Sequence, residues 1–189
     1  DVGLTSRNLG ATIGEQGKWD FRISFDELRH NTSDNYQTPY VEGNGSNRFT
    51  LPAGFGLIAN TRTLNATQSA AFHSLDVSNT RENINLGGGF ILGPEWSVKV
   101  DYNRLEQSGA KLMGFGSSAV GGATGERVSI LPMPTDAKTD QVTVSLNWAG
   151  DKGHASGSYY GSYFRNNVNG VNFQTWQTAS VIQTMGTAP

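Results

Sequence analysis

The chain has 189 residues, 36% of them hydrophobic and 24 of them glycine, with a formal charge of −2 from 14 basic and 16 acidic residues. That length suits one ordinary domain; the near-neutral balance without a basic cluster lacks the footprint of a nucleic-acid binder, and no apolar run approaches the ~20 residues of a membrane-crossing helix. With no cysteine, disulfides, thiolate metal sites and covalent haem attachment through C-x-x-C-H are excluded within this chain.

The first segment, "DVGLTSRNLGATI", alternates imperfectly and changes register near Ser6 to Asn8, where a bulge is expected. The start has neither the basic residues nor the apolar segment of a secretory leader, which leaves a mature chain, a cytoplasmic one or a fragment; the final "VIQTMGTAP" does not read as a closing strand, so a fragment is the expectation. The turn signal "GEQGK" (14–18) leads into "WDFRISFDEL" (19–28). There Trp19, Phe21, Ile23 and Phe25 alternate with Asp20, Arg22, Ser24 and Asp26, the period-2 signature of a strand with one apolar and one polar face.

Further along, "TRENINLGGGF" places Arg81, Asn83 and Asn85 on one face and Ile84, Leu86 and Phe90 on the other. After the turn "LGPE" (92–95), "WSVKVDYNRL" (96–105) repeats the first decapeptide without a gap, in the form W-x-φ-[RK]-φ-x-[FY]-[DN]-x-L. Here Lys99, Asp101 and Asn103 are polar-facing, and Val98, Val100 and Tyr102 apolar-facing. A third strand, "QVTVSLNW" (141–148), sets Thr143, Ser145 and Asn147 against Val142, Val144 and Leu146, then enters the turn "GDKG" and the strand "HASGSYYGSYF". Three hairpins result, or about six strands.

Long polar segments lie near 29–76, 106–139 and 165–189. Soluble domains rarely repeat loops much longer than about 15 residues, whereas outer-membrane barrels alternate short periplasmic turns with long outer loops. Trp19, Trp96 and Trp148 would all sit at the short-turn rim, where interface girdles place aromatic rings. Arg22 and Lys99 occupy the middle of the polar face and must meet water or a polar partner. The apolar run from Trp19 to Phe25 covers roughly 20 Å of strand, against a band of about 25 Å in barrels, so a soluble β-sandwich stays open on the pattern alone. The fold expectation is all-β: a segment of an antiparallel transmembrane β-barrel, with residues 1–189 belonging to a single barrel.

No catalytic constellation appears. His30, His73 and His154 lack ligand spacing and read as solvated or capping residues. "GFGSSAVGGATGERVS" (114–129) lacks the Gly-Lys-Ser/Thr ending of a phosphate loop and reads as an external loop. The "NTS", "NGS" and "NAT" triplets are common accidents of Asn-rich loops, and "SDN" (33–35) with Glu42 lacks the spacing of a calcium loop. The prolines of "LPAGFG" (51–56) and "LPMPTD" (131–136) are expected to end strand pairing.

Several segments, "GKWDFRISFDELRHNTSDNYQTPY" with "RFTLPAGFG", and "ILPMPTDAKTDQVTVSLNWAGDKG" with "YYGSYFRNN", resemble the MtrB/PioB family of decahaem-associated outer-membrane proteins. The resemblance implies a segment of a large barrel of more than 20 strands in the bacterial outer membrane. Such a barrel encloses a periplasmic multihaem c-type cytochrome, often with a second multihaem cytochrome docked outside, and carries electrons across the membrane. It implies a non-enzymatic sheath with no cofactor in this chain, the haem being held by partner cytochromes. The residues facing lumen and cytochrome would be Asp20, Arg22, Ser24, Asp26, Arg81, Asn83, Asn85, Lys99, Asp101, Asn103, Thr143, Ser145 and Asn147. The alternatives are a diffusion porin and a soluble β-sandwich binding domain.

Overall fold

The computed structural model describes residues 5–55, 63–116, 128–176 and 178–186. Most of the phosphate-loop-like segment therefore lies outside the described residues. The elements in chain order are β1 (Ser6–Glu15), β2 (Trp19–Thr38), β3 (Arg48–Phe49), α1 (Ala66–Ala70), β4 (His73–Ile91), β5 (Trp96–Gly116), β6 (Val128–Gly150), β7 (Gly153–Asn166), β8 (Gly170–Thr175) and β9 (Thr178–Gly186). They form a six-stranded sheet in the order β1-β2-β4-β5-β6-β7 and a three-stranded sheet in the order β3-β8-β9. The larger sheet is a meander of the three expected hairpins; β3, β8 and β9 come in addition to the six strands expected.

Each tight turn has a local cause. Between β1 and β2, Gly17 takes φ 78°, Lys18 N–H donates to the Glu15 carbonyl at 3.0 Å and the two side chains form an ion pair. Between β4 and β5, Gly93 supplies φ 138° and Leu92 N–H donates to the Trp96 carbonyl at 2.9 Å. The β1/β2 ladder runs without interruption from Ser6↔Leu28 to Glu15↔Trp19. The bulge expected near Ser6 to Asn8 is thus absent: the break in alternation reflects side-chain choice at the end of the strand, not a change of pairing.

The chain divides into two compact units. The first comprises Asp1–Arg29, Thr80–Gln107 and Ala137–Arg165. It holds the hairpin ends of the six strands in a single layer, and none of the buried hydrophobic side chains among the described residues belongs to it. Its apolar residues are exposed or half-buried, Leu9 being 63% and Ile13 64% exposed. A water-soluble sandwich buries such a face beneath a second sheet. Within this unit the described residues form one sheet only, so its architecture is that of a barrel wall rather than a sandwich.

The second unit comprises His30–Asn79, Ser108–Asp136 and Asn166–Pro189. It has a true core of Tyr40, Phe49, Phe115, Leu131, Val171 and Phe173, with Leu51, Met133 and Trp176 packed against it. Here β3 pairs in parallel with β8, which pairs antiparallel with β9. The Tyr40 hydroxyl donates to the Gln174 carbonyl at 2.7 Å. Burial pushes the Tyr36 phenol up, so it stays a neutral donor to the Ile130 carbonyl.

Several loop expectations change. β2 continues to Thr38, β5 to Gly116, and β6 begins at Val128, so the segments read as loops are partly strand. "LPMPTD" lies inside β6, with Leu131 and Pro132 fully buried, so its prolines do not end the strand. Asn65 of "NAT" is the N-cap of α1, in a reciprocal capping box with Gln68. The Glu42 carboxylate takes both the Thr50 N–H and hydroxyl, each at 2.6 Å, and is committed to its own loop. Gly109 in β5 takes φ 122° against the Ser78 carbonyl, where a side chain would collide with backbone.

Candidate functional site: the two faces of the wall

The site is the larger sheet's hairpin end, because chemistry separates by face there. Contacts between β5 and β6 fix the parity. Trp96 meets Trp148, with ring centroids 6.5 Å apart; Arg104 bonds Asp140 at 2.8 Å; and Lys138 reaches Glu106 at 3.0 Å. The partners step by equal and opposite residue numbers, so the strands keep one antiparallel register throughout and these residues share one face.

That face is apolar in its middle. On β1 and β2 the register stacks Leu9 on Phe25, Ala11 on Ile23 and Ile13 on Phe21. The strip continues through Val98, Val100 and Tyr102 on β5 and Val142, Val144 and Leu146 on β6. At the short-turn end it is bounded by Trp19, Trp96 and Trp148, the last of which donates its indole N–H to Glu95 at 2.8 Å. At the other end charge closes it: Arg7 pairs with Glu27, and Arg104, Asp140, Glu106 and Lys138 form a connected cluster to which Tyr102 donates its hydroxyl. The alternating pattern located the aromatic boundary. The charged one escaped it, because Arg104 and Asp140 acquire meaning only when β5 and β6 are laid side by side.

The opposite face gathers most of the polar residues expected from sequence into two networks. In the first, Arg22 contacts Asp20 at 3.2 Å and Asp101 at 3.5 Å, while Lys99 contacts Asp101 at 3.1 Å. Two cations and two carboxylates therefore neutralise one another. In the second, Asn85 donates to the Ser24 hydroxyl at 3.2 Å and Asn103 donates to Asn83 at 2.6 Å. Asp26 accepts from Asn8 at 3.3 Å. Thr143 lines a groove of about 470 Å³ with Arg22, Ser24, Asn85, Asp101 and Asn103. Asn147 lines a neighbouring one with Asp20 and Lys99. Arg81 and Ser145 lie on β4 and β6 without entering either network.

Sequence reasoning missed the glycines beneath these side chains. Gly87 and Gly89 on β4 and Gly14 on β1 flank Arg22 and Asp20 of β2, and Gly10 lies opposite Ser24. A Cβ on Gly89 would lie 2.5 Å from Asp20 Oδ1, and one on Gly87 would lie 2.8 Å from Asp101 Oδ1. The charged chains thus lie flat over glycine instead of standing up. The "GGG" run opposite "DFR" was the available signal.

A single-layer antiparallel sheet with an aromatic-rimmed apolar face and an opposite face of ion-paired and hydrogen-bonded polar side chains is the wall of an outer-membrane β-barrel. The whole chain, residues 1–189, matches the family described as "Putative outer membrane beta-barrel porin, MtrB/PioB", and it belongs to that family. It is similar to the outer membrane protein MtrB of Shewanella baltica (strain OS185), at 28% identity over 174 residues. That alignment covers 92% of this chain and 24% of the relative, so the chain spans about a quarter of the relative's length. The chain thus belongs to a porin-like family of outer-membrane barrels.

Proposed function

We propose that this segment forms part of a wide outer-membrane sheath that encloses a multihaem c-type cytochrome and serves electron transfer across the outer membrane. The observation that carries this is the single-layer wall with a self-neutralised polar face. Arg22, Lys99, Asp20 and Asp101 cancel one another locally, which suits contact with a large polar partner better than the charged constriction of an ion-selective pore. Width supports it too. Six wall strands in about a quarter of the relative's length scale to roughly two dozen over the whole, in the range where barrels hold a plugged lumen.

On this reading the apolar face meets lipid, Trp19, Trp96 and Trp148 anchor the periplasmic rim, and the polar residues named above face lumen and cytochrome. The wall performs no catalysis. Without cysteine this segment supplies no covalently held haem, so the redox groups belong to the enclosed cytochrome, and an outer-surface multihaem cytochrome would dock at the long-loop end. The wall's contribution is insulation, keeping another protein's haems out of the lipid while its backbone hydrogen bonds are satisfied from strand to strand.

The test uses full-length protein purified from outer membranes, haem staining of the complex, and electron transfer to an external acceptor across proteoliposomes. Copurified haem protein with transfer across the vesicle supports the sheath. A barrel that inserts normally, retains no haem protein and passes small solutes freely is a diffusion porin instead.

A further inference from the structure

Strand β7 carries four strongly exposed aromatic side chains, Tyr159, Tyr160, Tyr163 and Phe164. Its register against β6 divides them. At one end the Cβ position of Gly153 lies 3.9 Å from the Trp148 ring. At the other, just past the end of the strand, Asn167 Nδ2 donates to Asp136 Oδ1 at 3.0 Å. Trp148 and Asp136 are both even-numbered positions of β6, the parity of the apolar face, so the odd-numbered positions of β7 share that face at both ends. Alternation then places Tyr160 and Phe164 on the polar face.

Neither residue suits that setting by itself. Tyr160 is 60% and Phe164 58% exposed on β7, the edge strand of this sheet; a further wall strand would flank the rings from one side, yet they project from the polar face, where the apolar body of each ring gains nothing from water. The rest of the face offers a partner little strong attraction, since its charges already neutralise each other over a floor lowered by glycine. Protein interfaces with polar surroundings concentrate their energy in a few aromatic anchors of this kind. We propose that Tyr160 and Phe164 are the aromatic anchors by which the polar face holds the folded protein inside the barrel. This rests on the sheath reading. It adds that retention depends on these two rings rather than on the charged residues beside them.

The test compares two double variants of the full-length protein: Tyr160→Ser with Phe164→Ser, and the matched pair Tyr159→Ser with Tyr163→Ser on the opposite face of the same strand. Barrel assembly is read by heat-modifiable migration, and retention by haem per purified barrel. The first variant is expected to assemble normally and lose retained haem protein by about tenfold or more; the second is expected to keep it. Unchanged retention in the first variant, or equal loss in both, overturns the assignment. Loss of assembly without loss of retention per assembled barrel would mean that a neighbouring strand covers the rings, and a change confined to solute conductance would make them a solute track; either also overturns it. Wild-type protein that retains no haem protein sinks the sheath reading itself, whereas wild-type retention with an unaffected first variant sinks only the anchors.

Discussion

Arg22 Nη2 lies 3.5 Å from Asp101 Oδ1 although β4 runs between their strands. The contact exists because the intervening position is Gly87, whose absent Cβ would stand 2.8 Å from Asp101 Oδ1 and 3.3 Å from Arg22 Nη2. An ion pair spanning three strands is therefore written into the sequence as a glycine. Gly89 repeats the device beneath Asp20.

Glycines on this face divide by what a side chain would strike. At Gly14 a Cβ would lie 2.5 Å from the Trp19 carbonyl oxygen and 2.9 Å from Asp20 Cα, both fixed by the hairpin. At Gly87 it would meet side-chain ends that can swing away. Gly14→Val is thus expected to block formation of the β1/β2 hairpin and lower the yield of assembled barrel severely. Gly87→Ala should assemble and lose only the Arg22–Asp101 pair. Heat-modifiable migration of the two proteins decides this, and equal yields would contradict it.

The two faces of β2 give a sharper contrast. Ile23 pairs with Ala11 in the middle of the apolar strip, and a charge there costs about 2–4 kcal/mol at the bilayer midplane. Ile23→Arg should therefore impair assembly strongly. Ser24→Arg, one residue away but on the polar face, should assemble like the parent. Equal amounts of both variants in the outer membrane would contradict the assigned register, and the reverse order would show that the faces are assigned the wrong way round.

Legibility from sequence followed the physics of each region. Between Trp19 and Phe25, and again between Trp96 and Tyr102, one side of the strand is apolar and the other polar, so period 2 alone gave strand, face and turn. Beyond Leu28 and Glu106 the same strands leave that environment, the alternation fades and pairing persists without a pattern to report it. The core around Phe49, Leu131 and Phe173 joins three distant segments, including a parallel β3/β8 pairing that no local signal encodes. The polar networks lay between. Each residue was visible, but its partner depended on inter-strand register.

The second unit should answer to its core rather than to the membrane. Phe173 is fully buried, beside Phe115 with ring centroids 5.7 Å apart, and Phe→Ala at such a site costs about 3–5 kcal/mol. Phe173→Ala is expected to make the segments of this unit much more sensitive to added protease while the assembled barrel remains. Digestion kinetics matching the wild type would show that this core does not hold the unit together.

The short turns and the long connections should open to opposite compartments. Short turns mark the periplasmic rim of outer-membrane barrels and long connections the outer side, which places Asp151 inside and Gly43 outside. Both are exposed, and Gly43 has open space about its Cβ position. Asp151→Cys and Gly43→Cys, each in a full-length background without other reactive thiols, are to be labelled on intact cells with a membrane-impermeant maleimide. Labelling is expected at position 43 without permeabilisation and at position 151 only after it; the reverse order would invert the wall.

Exposed ion pairs contribute little, about 0–1 kcal/mol each, because water and salt screen them. Arg22 and Lys99 are of this kind, with side chains 44% and 51% exposed, and Arg81 enters neither network. Replacing Arg22, Arg81 and Lys99 together by Ala also leaves Asp20 and Asp101 exposed to solvent, where a carboxylate without its partner is cheaply hydrated. On the sheath reading proposed above, the triple variant should therefore assemble normally and change haem-protein retention by less than about threefold, with little dependence on salt. Haem per purified barrel, measured at low and high ionic strength, checks this. A large, salt-sensitive loss would mean that the cations reach past Asp20 and Asp101 to carboxylates on the enclosed protein, and that charge, not the flat neutral floor, governs the contact.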